Sequence, residues 1–313
     1  MSTYSGGVTV GYVSSYSGGI PSDDPSLYLE PSAMMVPTRE ELMALRWTQF
    51  TSWYRKLELR ELMISFTSVS VMFALWVFVT ETGLANELFL PGPVAIYEAF
   101  MRVLINGYQG SNLVEHVGTS LYRILSGFGM ACLVGIPLGI AMGMSRAVNA
   151  SFSPFIEFYR PLPPLGLYTL LVMWLGIGEA SKLALLFLAG LPGIIIATIQ
   201  AVNDINPTFI RASKTLGATR MQLIREVYLP GAGPTILTGM RISLGFVYTV
   251  LVAAEIVAAT AGIGWMIWDA AKFLLSDIVI MGLIVLGITG VLLDLAMRMI
   301  GSLLMPWTRV HKR

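Results

Sequence analysis

The chain has 313 residues and a net charge of +1; 55% of its residues are hydrophobic and only 12% are charged. Globular proteins carry about 25% charged residues, so an ordinary soluble domain is excluded, and near-zero net charge gives no footprint for nucleic acid. Several apolar runs are long enough to cross a bilayer, which describes an all-α polytopic membrane protein. One cysteine, Cys132, inside an apolar run, excludes an internal disulfide, and with only two histidines, His116 and His311, no metal site is expected.

Residues 1–37 are rich in Ser, Gly, Tyr and Pro with no helical period, which predicts a mobile tail. Thr38 and Glu41 form a capping box, and the stretch 38–61 mixes Leu42, Leu45, Trp47, Phe50, Trp53 and Leu57 with charges. It reads as an amphipathic helix in the membrane interface. No secretory signal peptide is expected, since the first apolar run begins only after about sixty residues. Six spanning candidates follow at about 62–80, 119–143, 155–175, 181–203, 236–260 and 278–300.

Lysine and arginine concentrate before the first span, between the fourth and fifth, and after the sixth. The positive-inside rule therefore places both termini and the 204–235 loop in the cytoplasm. The region 62–118 holds the first span and an external loop, in which Pro91 and Pro93 predict a turn into an amphipathic helix. The second span carries Gly135, Gly139 and Gly143 at four-residue steps, a spacing for close helix contact inside the protein. Pro137 lies between them and can kink this helix.

The third span opens on Arg160, Pro161, Pro163 and Pro164, which cannot sit in a regular helix facing lipid. Two readings stay open there, a lining of the transport pathway or a kink that merely packs. Glu157 and Arg160 are spaced to pair on a helix face. Between the fourth and fifth spans, Asn206 and Pro207 predict a helix start and Gly217 its left-handed end. Thr219 and Gln222 start a second helix, expected to stop near Leu229 because Pro230 disfavours helix before it. Phe209, Ala212 and Leu216 share one face of the first helix, and Arg211 and Lys214 lie on another.

The fifth span ends in Glu255, costly inside a membrane, which is expected to take a structural or gating partner, such as an arginine, rather than to touch substrate. Gly262 and Gly264 form the turn beyond it. Asp294 and Arg298 in the sixth span are an i,i+4 pair, expected to be structural. No GxxxxGK[ST] phosphate loop, HExxH or Gly-flanked nucleophilic serine occurs, so the chain is not expected to be an enzyme or to hydrolyse ATP itself.

The 204–230 loop resembles the coupling ("EAA") loop of permease subunits of bacterial ABC importers. Arg211, Ala212 and Ser213 fill its first block, and Gly217, Val227, Leu229 and Pro230 match the rest. Arg211 departs from the glutamate usual there. The RPLPP stretch (160–164), Trp174, Gly176, Gly178 and Lys182, and the Val-Ala-Ala-Glu run ending at Glu255 resemble the taurine, alkanesulfonate, nitrate and bicarbonate branch, nearest to taurine permeases.

The resemblance implies a type I ABC importer permease fold over 117–301, with a cytoplasmic C-terminus at 302–313. It implies two copies of the chain in the bacterial cytoplasmic membrane, two ATPase subunits that bind ATP and Mg, and a periplasmic or lipid-anchored substrate-binding protein. It places Phe209, Arg211, Ala212, Ser213, Leu216 and Gly217 at the ATPase contact, and Arg160, Pro161, Pro163, Pro164 and Glu255 as pathway or gating candidates. No cofactor is implied in this chain. Taurine is the favoured solute, nitrate and bicarbonate the runners-up, and an ATP-independent channel or secondary transporter the alternative class.

Overall fold

Hydrocarbon offers no hydrogen-bond partners, so an apolar run that crosses it must satisfy its own backbone, and the helix is the open form that does so. The computed structural model describes residues 59–307. The expected tail 1–37 and all but the last residues of the expected interfacial helix 38–61 lie outside them, as do residues 308–313. The helices are α1 (Leu59–Glu81), α2 (Pro93–Asn106), α3 (Leu113–Met144), α4 (Arg146–Tyr159), α5 (Pro164–Leu175), α6 (Glu179–Asn203), α7 (Pro207–Thr215), α8 (Arg220–Gln222), α9 (Leu229–Ala258), α10 (Ile263–Lys272) and α11 (Ser276–Leu304). Residues up to 70, in the first half of α1, belong to a separate compact unit from 71 onward.

Among the described residues five stretches are long and apolar enough to cross a membrane: Met63–Glu81, Leu113–Met144, Glu179–Asn203, Arg220–Val257 and Ser276–Leu304. The third candidate, expected at 155–175, is instead divided between α4 and α5. Pro163 adopts extended backbone and Pro164 begins α5, as the restriction before proline requires. With 12 residues, α5 is about 18 Å long and cannot cross a core of about 30 Å alone.

A second expectation is also revised. The helix starting at Thr219 does not stop at Leu229 but runs through Pro230 into α9. Between α8 and α9 lies a π-helical turn, Leu223–Tyr228, and the Leu229 N–H reaches back five residues to the Ile224 carbonyl. The wider turn gives the proline ring room, and Pro230 brings no N–H of its own into the ladder.

α6 is the central helix, packed between α3 and α9. Along α3, a Cβ added to Gly127, Gly135, Gly139 or Gly143 would lie 2.5, 3.0, 2.6 and 2.7 Å from Leu186, Ile194, Thr198 and Val202. The glycines expected to serve internal packing thus meet a matching ladder on α6. On its other side, Gly239 of α9 faces Ala197 and Gly193 of α6 faces Ser243. Small residues substitute for the hydrophobic drive that is missing between helices in lipid. One apolar cluster joins α3, α5, α6 and α9. A second joins α2, the start of α3, α10 and α11, with Trp76 of α1 against it. A third, including Ile140, Val202, Leu223 and Tyr228, supports the corner between α7 and α8.

Gly139→Ala places a methyl against Thr198 and the Ile195 carbonyl and should destabilise the protein by about 1–3 kcal/mol. Gly129→Ala meets nothing within 4 Å and should leave stability unchanged or raised. Thermal unfolding of the two purified variants, followed by helical circular dichroism, checks the difference.

Candidate functional site

The corner between α7 and α8 is built by local chemistry. The Asn206 side chain accepts from the Thr208 N–H, and Pro207 opens α7. At the other end Gly217 has φ +83°, its N–H donates to the Lys214 carbonyl, and the Ala218 N–H donates to that of Ser213. These two bonds make a Schellman cap, which needs a residue tolerant of positive φ. Thr219 and Gln222 complete a reciprocal capping box. Ile210 and Ala218 lean on the third cluster. Phe209 and Leu216 point away from the chain, 65% and 88% exposed, with Ala212 exposed between them. Arg211 and Lys214 are exposed, Ser213 is half-buried, and Arg211 makes no ion pair among the described residues. The corner therefore offers a preformed apolar face rimmed by cations.

Arg160, Pro161 and Pro163 are exposed and Pro164 half-buried, at the break between α4 and α5. The expected Glu157–Arg160 pair does not form. Arg160 still has helical backbone as the C-cap of α4, its N–H bonded to the Ile156 carbonyl, but both side chains are exposed and stay apart.

Glu255 is fully buried and lies against an arginine, Arg123 of α3, itself only 2% exposed. The Arg123 Nη1 donates to Glu255 Oε1 at 2.8 Å and to the Ala261 carbonyl at 2.6 Å. Its Nε and Nη2 hold both oxygens of Glu179 at 2.8 and 2.7 Å, and the Lys182 Nζ donates to Glu179 at 2.9 Å. Ser120 donates to Glu255 Oε1 at 2.7 Å, and the Gly264 N–H donates to Oε2 at 2.8 Å.

His116 extends the network. Its Nδ1 accepts from the Gly262 N–H at 3.1 Å, its Nε2 lies 3.3 Å from the Tyr108 carbonyl, and its ring stacks on Trp265. Those two contacts assign the ring proton to Nε2. Outside the spans, burial first and the Asp269 carboxylate second push the Tyr108 phenol up to about 12.

This geometry accounts for both glycines of the turn. A Cβ on Gly262 would sit 2.4 Å from the Glu255 carboxylate, and one on Gly264 3.0 Å from it. Two anions and two cations are thereby closed into a cluster that joins α3, α6, α9 and the turn before α10. Arg123, Ser120 and Glu179 were not singled out from the sequence, and His116 was weighed only as one of two histidines. The signal was an arginine within an apolar run, which by default has a partner inside the protein.

Asp294 and Arg298 pair along α11, Nε to Oδ2 at 2.9 Å. Arg241 of α9 joins them, its Nε and Nη2 on the two oxygens of Asp294 at 2.7 and 3.0 Å. Among the described residues no group of His, Cys, Asp or Glu side chains is placed to hold a metal ion.

Long apolar helices, paired buried charge and an exposed, capped corner describe a polytopic helical membrane protein. Residues 135–305 match the family described as binding-protein-dependent transport system inner membrane component. The taurine transport system permease protein TauC of Escherichia coli is 41% identical over 249 residues, covering 79% of this chain and 90% of that protein. The putative aliphatic sulfonates transport permease SsuC of Bacillus subtilis is 30% identical, covering 78% and 87%. The nitrate import permease NrtB of Synechocystis is also 30% identical, covering 76% and 88%. A structure of the MetNI methionine ABC transporter in an inward-facing conformation covers 66% of this chain and 97% of its own at a TM-score of 0.56 and 22% identity, a likeness of fold. The chain belongs to the family of inner membrane components of binding-protein-dependent transport systems, the permease subunits of ABC importers.

Breaking the buried cluster from one side is expected to be costly. Arg123→Met leaves Glu255 buried without its cation and should cost about 3–5 kcal/mol. Glu255→Gln, which leaves Arg123 on Glu179, should cost much less. Thermal melting of the two variants checks this; equal losses would contradict the clamp.

Proposed function

We propose that this chain is the pore-forming membrane subunit of an ATP-driven importer of a small sulfonate, with taurine the favoured solute. The observation that carries the coupling half is the corner between α7 and α8, which holds Phe209, Ala212 and Leu216 out of the chain on a rigid, doubly capped frame. An apolar face on a polar, basic loop lies outside the lipid and fits the groove of an ATPase subunit. The solute half is supported by the higher identity to the taurine permease than to the sulfonate and nitrate permeases, 41% against 30%. Nitrate or bicarbonate would fit the same fold and the same coupling.

In this reading two copies of the chain form the pore in the bacterial cytoplasmic membrane, with both termini and the 204–230 loop on the cytoplasmic side. Two ATPase subunits bind ATP and Mg and dock on α7 of each copy, through Phe209, Arg211, Ala212, Ser213 and Leu216, with Gly217 setting the angle. A periplasmic or lipid-anchored binding protein delivers the solute. Closure of the ATPase pair moves α7, and the continuous helix from Arg220 to Val257 carries that movement past Pro230 into the membrane.

Transport is then a population shift between two packings, biased by nucleotide and by the loaded binding protein. The exposed break at Arg160, Pro161, Pro163 and Pro164 lies along the route. Glu255, sealed against Arg123, acts as a brace that keeps α3, α6 and α9 in register while the route opens. An ATP-independent channel would leave the Phe209–Leu216 face without a use.

Ala212→Asp puts a carboxylate into the docking face. Burying it unpaired costs about 2 kcal/mol or more, so ATP-driven uptake should fall by a factor of about 30 while the spans stay folded. Uptake at the wild-type rate would show that α7 does not dock there.

A further inference from the structure

Arg241, Asp294 and Arg298 lie where lipid would be expected. α11 has 29 residues and is therefore about 43 Å long, against a hydrocarbon core of about 30 Å. With the helix centred on that core, Asp294 falls about 6 Å from the midplane, toward the side of the α7–α8 corner. Arg241 is fixed at the same depth by its two bonds to Asp294.

A guanidinium carries five N–H donors. Arg241 gives two of them to Asp294 and Arg298 gives one, and the others have no acceptor among the described residues. The Arg298 side chain is 54% exposed and that of Asp294 39%. Acyl chains supply no acceptor, so this face is turned from lipid toward the interior of the two-copy pore proposed above.

The same place is hollow. Two adjoining clefts between α9 and α11, of about 310 and 660 Å³, share Tyr248, Gly290 and Asp294 as a common wall. Their floors include Gly245 and Gly287, around which a Cβ would meet nothing within 4 Å. The Tyr248 hydroxyl is already bound to the Leu286 carbonyl and to Thr289, so the open donors are those of the arginines. Two cations on one carboxylate leave a net positive charge, and the planar fork of arginine matches a sulfonate or phosphate group with two parallel bonds.

We propose that the α9–α11 cleft faces the translocation route and holds the anionic oxo group of the solute on the free N–H groups of Arg241 and Arg298, with Asp294 fixing both. This rests on the importer reading given above. A phospholipid headgroup offers the same chemistry. Asp294 and Arg241 lie too near the midplane for a headgroup to reach, whereas a solute in an aqueous route passes them.

The test uses the complete complex with its binding protein in vesicles of phosphatidylcholine, with and without phosphatidylglycerol. Labelled taurine uptake per ATP hydrolysed is compared for wild type, Arg298→Gln, Arg298→Lys and Gly287→Leu. Arg298→Gln keeps the Arg241–Asp294 pair, and Gly287→Leu fills the cleft without touching a charge. Both should lower uptake per ATP about tenfold or more, the worth of a charged hydrogen bond, in both lipids. ATPase stimulation by the loaded binding protein should stay at the wild-type level, and Arg298→Lys should retain most of the uptake.

Unchanged uptake per ATP in Arg298→Gln and Gly287→Leu overturns the site. A defect of Arg298→Gln confined to vesicles with phosphatidylglycerol makes a headgroup the anion and overturns the solute assignment. No stimulation of the wild-type ATPase by any loaded binding protein overturns the importer reading, and this site with it.

Discussion

The bond on which the membrane part of this protein depends is Arg123 to Glu255. Each side chain alone would be prohibitively costly at its level of burial. Together, and with Glu179, Lys182, Ser120 and the Gly264 N–H, they form a neutral cluster with every carboxylate oxygen bonded. The cluster acts at one end of the helix stack, where α3, α6 and α9 would otherwise be joined only by apolar contact. It also fixes the turn at Gly262, and through that turn the start of α10. Such a cluster penalises any shift of α3, α6 or α9 that would leave one of its buried charges unpaired.

From that end the helices are held by shape. The glycine ladder of α3 sets its backbone against α6 with no room for a methyl at Gly139, and α9 approaches the opposite side of α6 as closely. Tight packing of this kind switches between discrete arrangements rather than deforming continuously. At the far end α6 ends at Asn203, and the chain turns through α7 and continues along α8, the π turn and α9 without a break. The coupling proposed above relies on that continuity: a push on Phe209 or Leu216 would meet a capped corner and then one long helix.

Much of this was legible in the sequence because it is local. The caps at Asn206, Gly217 and Thr219, the four-residue glycine steps and the Asp294–Arg298 spacing are settled by residues within one or two turns of each other. What was not legible depends on long-range partners. The arginine facing Glu255 lies 132 positions away, and Arg241 reaches Asp294 across 53. Both arginines stood in apolar runs, a sign that each had a partner but not which one. The passage of the helix through Pro230 was misread because a proline rule for regular α-helix does not hold at a π turn. The 155–175 candidate looked like one span by hydropathy, yet its prolines divided it into helices too short to cross. The exposed face of α7 was legible as a pattern, and the structure adds that Ile210 and Ala218 turn inward while Phe209 and Leu216 do not.

The most direct test of the central claim is the ATPase activity of the reconstituted complex with its binding protein, measured with taurine, an alkanesulfonate, nitrate and bicarbonate in turn. The account predicts stimulation by taurine and little by nitrate or bicarbonate. No stimulation by any of the four, together with uptake indifferent to ATP, would contradict it.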